Sequence, residues 1–294
     1  MRGKRLLAVS VAVLVVALAA ALFIKESGKG GEGSGIIVVV TIPPQAEFVK
    51  RVGGEKVAVI TMVPQWANPH TYEPTPAQLM NVSKAKMYVK MGSGIEFEIA
   101  WMDKIKSINE NMLIVDCSNG IELLKEDGKA DPHIWLSPKN AKIIVENICE
   151  GLVQIDPANS TYYEQNKEAY LKELDALDDE ISQILSKTSK TSAHKFIVYH
   201  PAWSYFARDY GLEQISVEEG GKEPTPERIA SIIEEAKRNN ITKIFASPQF
   251  KDKAEVIAKE IGGKVVEINP LAENYIENMR KFAKELAKEG ENER

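Results

Sequence analysis

Three of the four histidines occupy the same kind of position in the chain. His70 stands in NPHTYEPTP, His133 in DPHIWLSP and His200 in YHPAW, and each comes shortly before the start of a helical pattern. His194, in the polar stretch KTSKTSAHK, lacks that setting. Neutral imidazole is a preferred ligand of zinc and suits other late divalent metals, so metal ligation is the leading interpretation. A surface or hydrogen-bonded role stays open, because positions in three separate loops do not by themselves show that the side chains meet.

Short β-branched apolar runs, alternating with helical patterns, are the elements that must position these histidines. We predict strands over residues 36–41, 56–63, 86–91 and 112–115, and again over 195–199, 214–217, 243–246 and 264–268. The alternation predicts an α/β protein with two similar lobes, each built on a mainly parallel four-stranded sheet. Ligand crevices form at the carboxyl ends of parallel strands. We therefore expect two histidines from the first lobe and one from the second at a cleft between the lobes.

A long amphipathic segment separates the two sets of strands. Apolar residues recur there at steps of three, four or seven, which predicts one continuous helix over residues 161–188. This helix is expected to join an N-terminal lobe of residues 36–160 to a C-terminal lobe of residues 189–294 and to act as a stiff hinge. The tetrapeptide EPTP occurs in both lobes, where Thr and then Pro are suited to open a helix. Chance and a duplicated lobe architecture both explain that repeat.

Residues 1–35 are predicted to be a signal peptide or N-terminal anchor followed by a flexible tether. Basic residues precede an uncharged stretch, residues 6–24, and the run GKGGEGSG follows it. Positive charges ahead of an apolar stretch stay in the cytoplasm. The remaining chain is therefore expected to be secreted, or held on the outer face of the cytoplasmic membrane. No cysteine closely follows the apolar stretch, which excludes a lipid-modified lipoprotein.

Composition and charge exclude several classes of protein. The chain of 294 residues is 44% hydrophobic and 27% charged, which fits a globular protein and excludes a disordered or fibrous one. A net charge of -5 argues against a nucleic-acid partner, which normally requires clustered Lys and Arg. Cys117 and Cys149 match no zinc-ribbon spacing. We expect two buried free thiols, with a single disulfide as the minority interpretation.

Four motifs, in their order along the chain, resemble those of a known family. NPHTYEPTP, DPHIWLSPKNA, YHPAWSYFARDYGL and INPL are similar to motifs of the metal-binding solute-binding proteins of zinc and manganese ABC importers, the ZnuA/TroA-like group. The resemblance covers nearly all of residues 36–290. It implies two α/β lobes joined by a long rigid helix, with a divalent metal ion between them. It also implies that His70, His133 and His200 are the ligands of that ion, and that the protein delivers it to an ABC permease.

The same resemblance bears on the fourth ligand and on the identity of the metal. The family often has an acidic ligand in the loop after the last strand, and this chain carries Asn269 at that place. Members specialised for manganese commonly have Glu where His200 stands. Three imidazoles therefore favour Zn²⁺ as the transported ligand, with Mn²⁺ as the alternative.

Several acidic residues near the histidines have more than one candidate role. Glu73 and Asp131 are candidates to accept the second ring N–H of a ligand histidine, and they are equally well explained as solvated loop acids. The acidic run Glu218, Glu219 and Glu223 is expected on a solvated or permease-facing surface rather than at a metal site.

Two other functions use three histidines. Three imidazoles and an open position are also the ligand set of a catalytic zinc hydrolase. The sequence has no HExxH motif and no evident general base tied to a ligand motif, so we expect a binding protein and not an enzyme. A surface adhesion module with a structural metal is the remaining interpretation.

Overall fold

The computed structural model describes residues 35–126, 128–186, 194–219 and 222–288. The predicted signal peptide or anchor and its tether, up to residue 34, lie outside the described residues. So do the last two positions of the predicted linking helix, residues 187–188. No helix in the described ranges is both long and apolar enough to cross a membrane.

The first lobe is a parallel four-stranded sheet covered by helices. Its strands are β1 (Ile36–Val40), β2 (Val57–Thr61), β3 (Met87–Lys90) and β4 (Leu113–Asp116), followed by a short antiparallel hairpin of β5 (Lys125–Glu126) and β6 (Lys129–Ala130). Its helices are α1 (Pro43–Gly53), α2 (Pro76–Val82), α3 (Glu96–Ile108) and α4 (Pro138–Ile155). The strand order is β2-β1-β3-β4, and each of the three pairings is parallel.

The long helix α5 (Ser160–Ser186) leads to a second lobe of the same kind. Its strands are β7 (Lys195–Val198), β8 (Glu213–Ser216), β9 (Lys243–Ala246) and β10 (Lys264–Glu267). Its helices are α6 (Ser204–Tyr210), α7 (Pro226–Arg238), α8 (Lys251–Glu260) and α9 (Tyr275–Ala287). The strand order is β8-β7-β9-β10, again with parallel pairings. The predicted α/β class with two similar lobes is confirmed, and each predicted strand lies within two residues of an observed one.

The two sheets share one topology, in which the second strand of the lobe is at an edge and the first lies beside it. Both EPTP motifs occupy the same place in that topology, between the second strand and the following helix. Thr75 and Thr225 each accept a hydrogen bond from the third residue of the helix, and the proline after each threonine is the first helical residue. The common position favours a duplicated lobe architecture over chance.

Helix α5 belongs to the cores of both lobes. It has 27 residues, which corresponds to about 40 Å of helix, and it packs against α1 and α4 of the first lobe and against α9 of the second. Its buried stripe consists of Tyr163, Tyr170, Leu174, Leu177, Ile181 and Leu185. One continuous apolar core therefore runs from the first sheet through α5 to one face of the second sheet. Both cysteines are buried free thiols, as expected.

Candidate metal centre

Each of the three motif histidines follows a strand or hairpin and is held by a local turn or a strand end. His70 lies in the loop after β2, where its backbone N–H donates to Asn68 Oδ1 at 3.0 Å. His133 follows the β5–β6 hairpin, and its backbone N–H donates to Asp131 Oδ1 at 2.9 Å. His200 lies two residues beyond β7. The C-terminal ends of two parallel strands and the hairpin thus bring all three loops to the space between the lobes.

The structure brings the three imidazole rings together. The Nε2 atom of His200 lies 3.4 Å from Nε2 of His70 and 3.2 Å from Nε2 of His133. Ring nitrogens of all three histidines lie within 4.8 Å of one another. Zinc–nitrogen bonds of about 2.0 to 2.1 Å in a tetrahedron place two ligand nitrogens about 3.3 to 3.4 Å apart. The observed separations match that geometry.

A carboxylate accepts a hydrogen bond from the Nδ1 atom of each ring. The partners are Glu96 for His70 at 2.7 Å, Asp131 for His133 at 2.8 Å and Glu218 for His200 at 2.8 Å. An ionised carboxylate only accepts hydrogen bonds, so each Nδ1 carries a proton, and in the neutral form of each imidazole the Nε2 atom carries a lone pair. Three lone pairs therefore point at one another, and they repel unless a cation lies between them.

Burial and hydrogen bonding stabilise these protonation states. Burial lowers the pKa of His200, against the opposing effect of Glu218, which keeps the imidazole neutral. The hydrogen bond from His70 lowers the pKa of Glu96. Burial by itself raises the pKa of Asp131, but the hydrogen bonds that it accepts, those from the ring and backbone N–H of His133 among them, outweigh burial and lower the pKa overall. Glu96 and Asp131 are consequently ionised at neutral pH, as the tautomer assignment requires.

The cavity at the rings has the size of an ion. Its volume is about 30 Å³, which is room for a single water molecule or metal ion. Besides the histidines and Glu96, it is lined mainly by apolar side chains, including Pro69, Ile95, Trp135 and Leu271. The converging ring nitrogens and the ion-sized space beside them support binding of a single ion.

Two acidic residues at the centre were not predicted from the sequence. Glu218 was expected on a solvated or permease-facing surface, and that expectation is wrong, because the residue is only 4% exposed and accepts from His200. The strand register explains its position. Val198 of β7 pairs with Ser216 of β8, so His200 and Glu218 each lie two residues beyond paired positions. Glu96 is the first residue of α3, and no motif marked it.

The structure does not bring Asn269, Glu73 or His194 to the three rings. Asn269 Oδ1 accepts a hydrogen bond from the Leu271 backbone N–H at 2.9 Å, and Asn269 does not line the cavity. Glu73 is exposed, and within the described ranges no hydrogen bond or ion pair joins it to a histidine. His194 is exposed in the turn before β7. Of the two acids that the sequence analysis names as candidate partners of a ligand histidine, Glu73 and Asp131, Asp131 is the one in contact with a ring.

A structural role for Asn269 leads to a testable expectation. Replacing Asn269 with Ala removes the acceptor for the Leu271 N–H and should lower the free energy of unfolding by about 1 kcal/mol. Because Asn269 does not reach the cavity, zinc affinity should change by less than about threefold, which is within the usual effect of a small local shift. Urea unfolding and a zinc competition titration measure the two quantities. A large loss of zinc affinity would instead identify Asn269 as a ligand.

The two-lobed α/β fold, the long linking helix and an ion-sized cavity of imidazoles between the lobes define a metal-binding solute-binding protein. Residues 38–289 match the model of the family described as zinc-uptake complex component A, periplasmic, and the chain belongs to this ZnuA family. The high-affinity zinc uptake system protein ZnuA of Bacillus subtilis is 31% identical over 261 residues, covering 82% of this chain and 80% of that protein. The manganese-binding lipoprotein MntA of Halalkalibacterium halodurans is 28% identical, covering 92% and 94%.

A solved structure gives the same result. A crystal structure of ZnuA has a TM-score of 0.83 and 42% identity, covering 87% of this chain and 99% of that one. The expectation of a metal-binding component of an ABC importer is confirmed, as is its location outside the cytoplasmic membrane. The protein is not an enzyme, and the three-histidine hydrolase interpretation is set aside.

Proposed function

We propose that this protein binds one Zn²⁺ through the Nε2 atoms of His70, His133 and His200 and delivers it to the permease of an ABC importer. The observation that carries the proposal is the convergence of three rings. The Nε2 atom of His200 lies 3.4 Å from that of His70 and 3.2 Å from that of His133, and a carboxylate contacts Nδ1 of each ring. With Nδ1 of each ring hydrogen-bonded to a carboxylate, the Nε2 lone pairs are available to bind a cation.

Zinc is favoured over manganese by the donor atoms. All three converging donors are nitrogens, which suit zinc, whereas manganese prefers oxygen ligands. Glu96 is the carboxylate that lines the cavity, and its oxygen is engaged by His70. Because Asn269 does not line the cavity, we propose water as the fourth ligand. A manganese-binding relative shows that the fold alone does not select the metal, so the argument depends on these donors.

Delivery of the ion requires no wide opening of the lobes. Since α5 packs against helices of both lobes, a hinge motion would disturb a continuous core. We propose that small loop movements at the cavity mouth release the ion. The N-terminal segment or the docked permease keeps the protein close to the membrane during this step.

The proposal is tested on the purified protein without a histidine tag. Native mass spectrometry should show one bound zinc ion, and competition with a chelator should show that Mn²⁺ does not displace it at comparable concentrations. Two tightly bound ions, or preferential loading with manganese from an equimolar mixture, would contradict the assignment. Loss of zinc-limited growth on deletion of the gene, restored by the intact chain but not by a His200→Ala chain, tests delivery.

Glu218 offers a further prediction about the centre. Glu218→Gln replaces the carboxylate that accepts from the His200 Nδ1–H with a neutral amide, which is a weaker acceptor. The ring is then oriented less firmly, and its Nε2 atom is less basic. We expect zinc affinity to fall about tenfold, at the lower end of the range for such partners. Glu73→Gln is the matched control, because Glu73 is an exposed acid in the other lobe. The zinc affinity of this variant should equal that of the wild type. Equal zinc affinities in both variants, measured by competition titration, would contradict the role given to Glu218.

A further inference from the structure

A short loop between β3 and α3, residues 91–95 (the β3–α3 loop), contacts the loop of His133 and leads directly into Glu96, which contacts His70. Ser93 Oγ donates a hydrogen bond to the carbonyl oxygen of Pro132 at 2.5 Å, directly before His133. Glu96, the next residue after the loop, accepts from His70 Nδ1. The loop therefore acts on His133 through the neighbouring carbonyl, and it sets the place of the carboxylate that holds His70.

The buried carboxylate of Glu98 holds the beginning of this loop. The residue is 6% exposed, and its Oε1 atom accepts from the Met91 backbone N–H and from Thr41 Oγ1, both at 2.6 Å. Its Oε2 atom accepts from the Gly92 backbone N–H at 2.9 Å. Three donors to one carboxyl group fix the path of the loop relative to β1 and β3.

The backbone of the β3–α3 loop has little freedom to take another path. Gly92 has φ +78°, and a Cβ atom at this position would lie 1.8 Å from Asp116 Oδ1. Only glycine fits that close approach. Ser93, the next residue, is 1% exposed. A displacement at either end of the loop must therefore be passed on to its contacts instead of being absorbed locally.

We propose that Ser93 and Glu98 are positioning residues of the metal centre, which keep His133 and the Glu96–His70 pair at the separation that zinc requires. This inference rests on the proposed function. Gln in place of Glu98 has only one acceptor oxygen, and its NH₂ group is a donor. That NH₂ group would face one of the donors that now bind Glu98, so a hydrogen bond is lost and the loop is displaced. Ala in place of Ser93 leaves the Pro132 carbonyl without its donor.

Zinc dissociation constants and visible spectra of the Co²⁺-loaded protein provide the test. Ser93→Ala and Glu98→Gln should each raise the zinc dissociation constant by about tenfold to 100-fold, the range for partners outside the ligand set, and should alter the tetrahedral Co²⁺ bands. Asn109→Ala is the matched control. Its Nδ2 atom donates to Val82 and Ala85 carbonyls at the opposite end of the same sheet. It should lower the unfolding temperature while leaving the dissociation constant and Co²⁺ spectrum unchanged.

Double variants show whether Ser93 acts through His133. Ser93→Ala should weaken metal binding further in a His70→Ala background but not in a His133→Ala background, because the second background has already lost the residue that Ser93 positions. Equal further losses in both backgrounds would overturn the inference. So would wild-type affinity in Ser93→Ala when the single histidine variants lose zinc. If the histidine variants themselves keep zinc, the proposed function has failed as well. Ser93→Ala removes only one hydroxyl group, so this variant still tests the inference if Glu98→Gln does not fold.

Discussion

Replacing His70, His133 or His200 with alanine is expected to weaken zinc binding by about 100-fold to 1000-fold. Zinc sites with four protein ligands have apparent binding free energies of about 10 to 16 kcal/mol, or about 2.5 to 4 kcal/mol per ligand. Since about 1.4 kcal/mol corresponds to a tenfold change, the loss of one imidazole gives the stated range. Competition titration with a chromogenic chelator measures it.

The control for these variants is His194→Ala. His194 is the one histidine of the chain outside the three motifs. It is exposed and lies in the turn before β7, away from the three rings. Its alanine variant should bind one zinc ion with wild-type affinity. If His194→Ala lost as much affinity as His133→Ala, or if one of the three ring variants kept wild-type affinity, the assignment of ligands would be wrong.

Acidification from pH 7 to pH 5 is expected to lower zinc affinity steeply, by less than about four orders of magnitude. Zinc competes with a proton at each Nε2 atom, and the reference pKa of histidine is about 6.5. Three independent histidines of that pKa would give a fall of about four orders. The pKa of His200 is lowered by burial, so this ring takes up its proton at a lower pH and the fall is smaller.

The same pKa shift predicts the direction of the pH effect on the metal-free protein. His200 has a lower pKa in the folded state than in the unfolded chain, so the unfolded chain binds more protons as the pH falls below about 6.5. The contribution of His200 to the stability of the metal-free protein is therefore fully present above that pH and decreases below it.

Zinc affinity that stays constant between pH 7 and pH 5 would point to oxygen ligands and contradict the three-imidazole centre.

The sequence was sufficient for the fold because each structural signal was local. β-branched runs alternating with helical patterns predict all the strands of both sheets, and the apolar stripe from Tyr163 onward predicts α5. The shared position of three histidines before helical patterns is a local signal too. Their meeting in space follows from the lobe topology, which places strand ends at one cleft.

The carboxylates at the rings depend on non-local information. Glu218 reaches His200 because β7 and β8 pair in one register, and a shift of one residue would turn the side chain to the other face of the sheet. Asn269 shows the converse. Its loop was located correctly, but whether its oxygen turns to a metal or to the Leu271 N–H depends on a local turn that no motif marks.

The most direct test of the central claim is an anomalous-scattering experiment at the zinc absorption edge on crystals of the zinc-loaded protein. We predict one strong peak between the lobes, about 2.0 to 2.1 Å from the Nε2 atoms of His70, His133 and His200, with a water molecule at the fourth position. A peak bound by fewer than three of these nitrogens, or one bound by Asn269 or Glu96 in place of a histidine, would contradict the account.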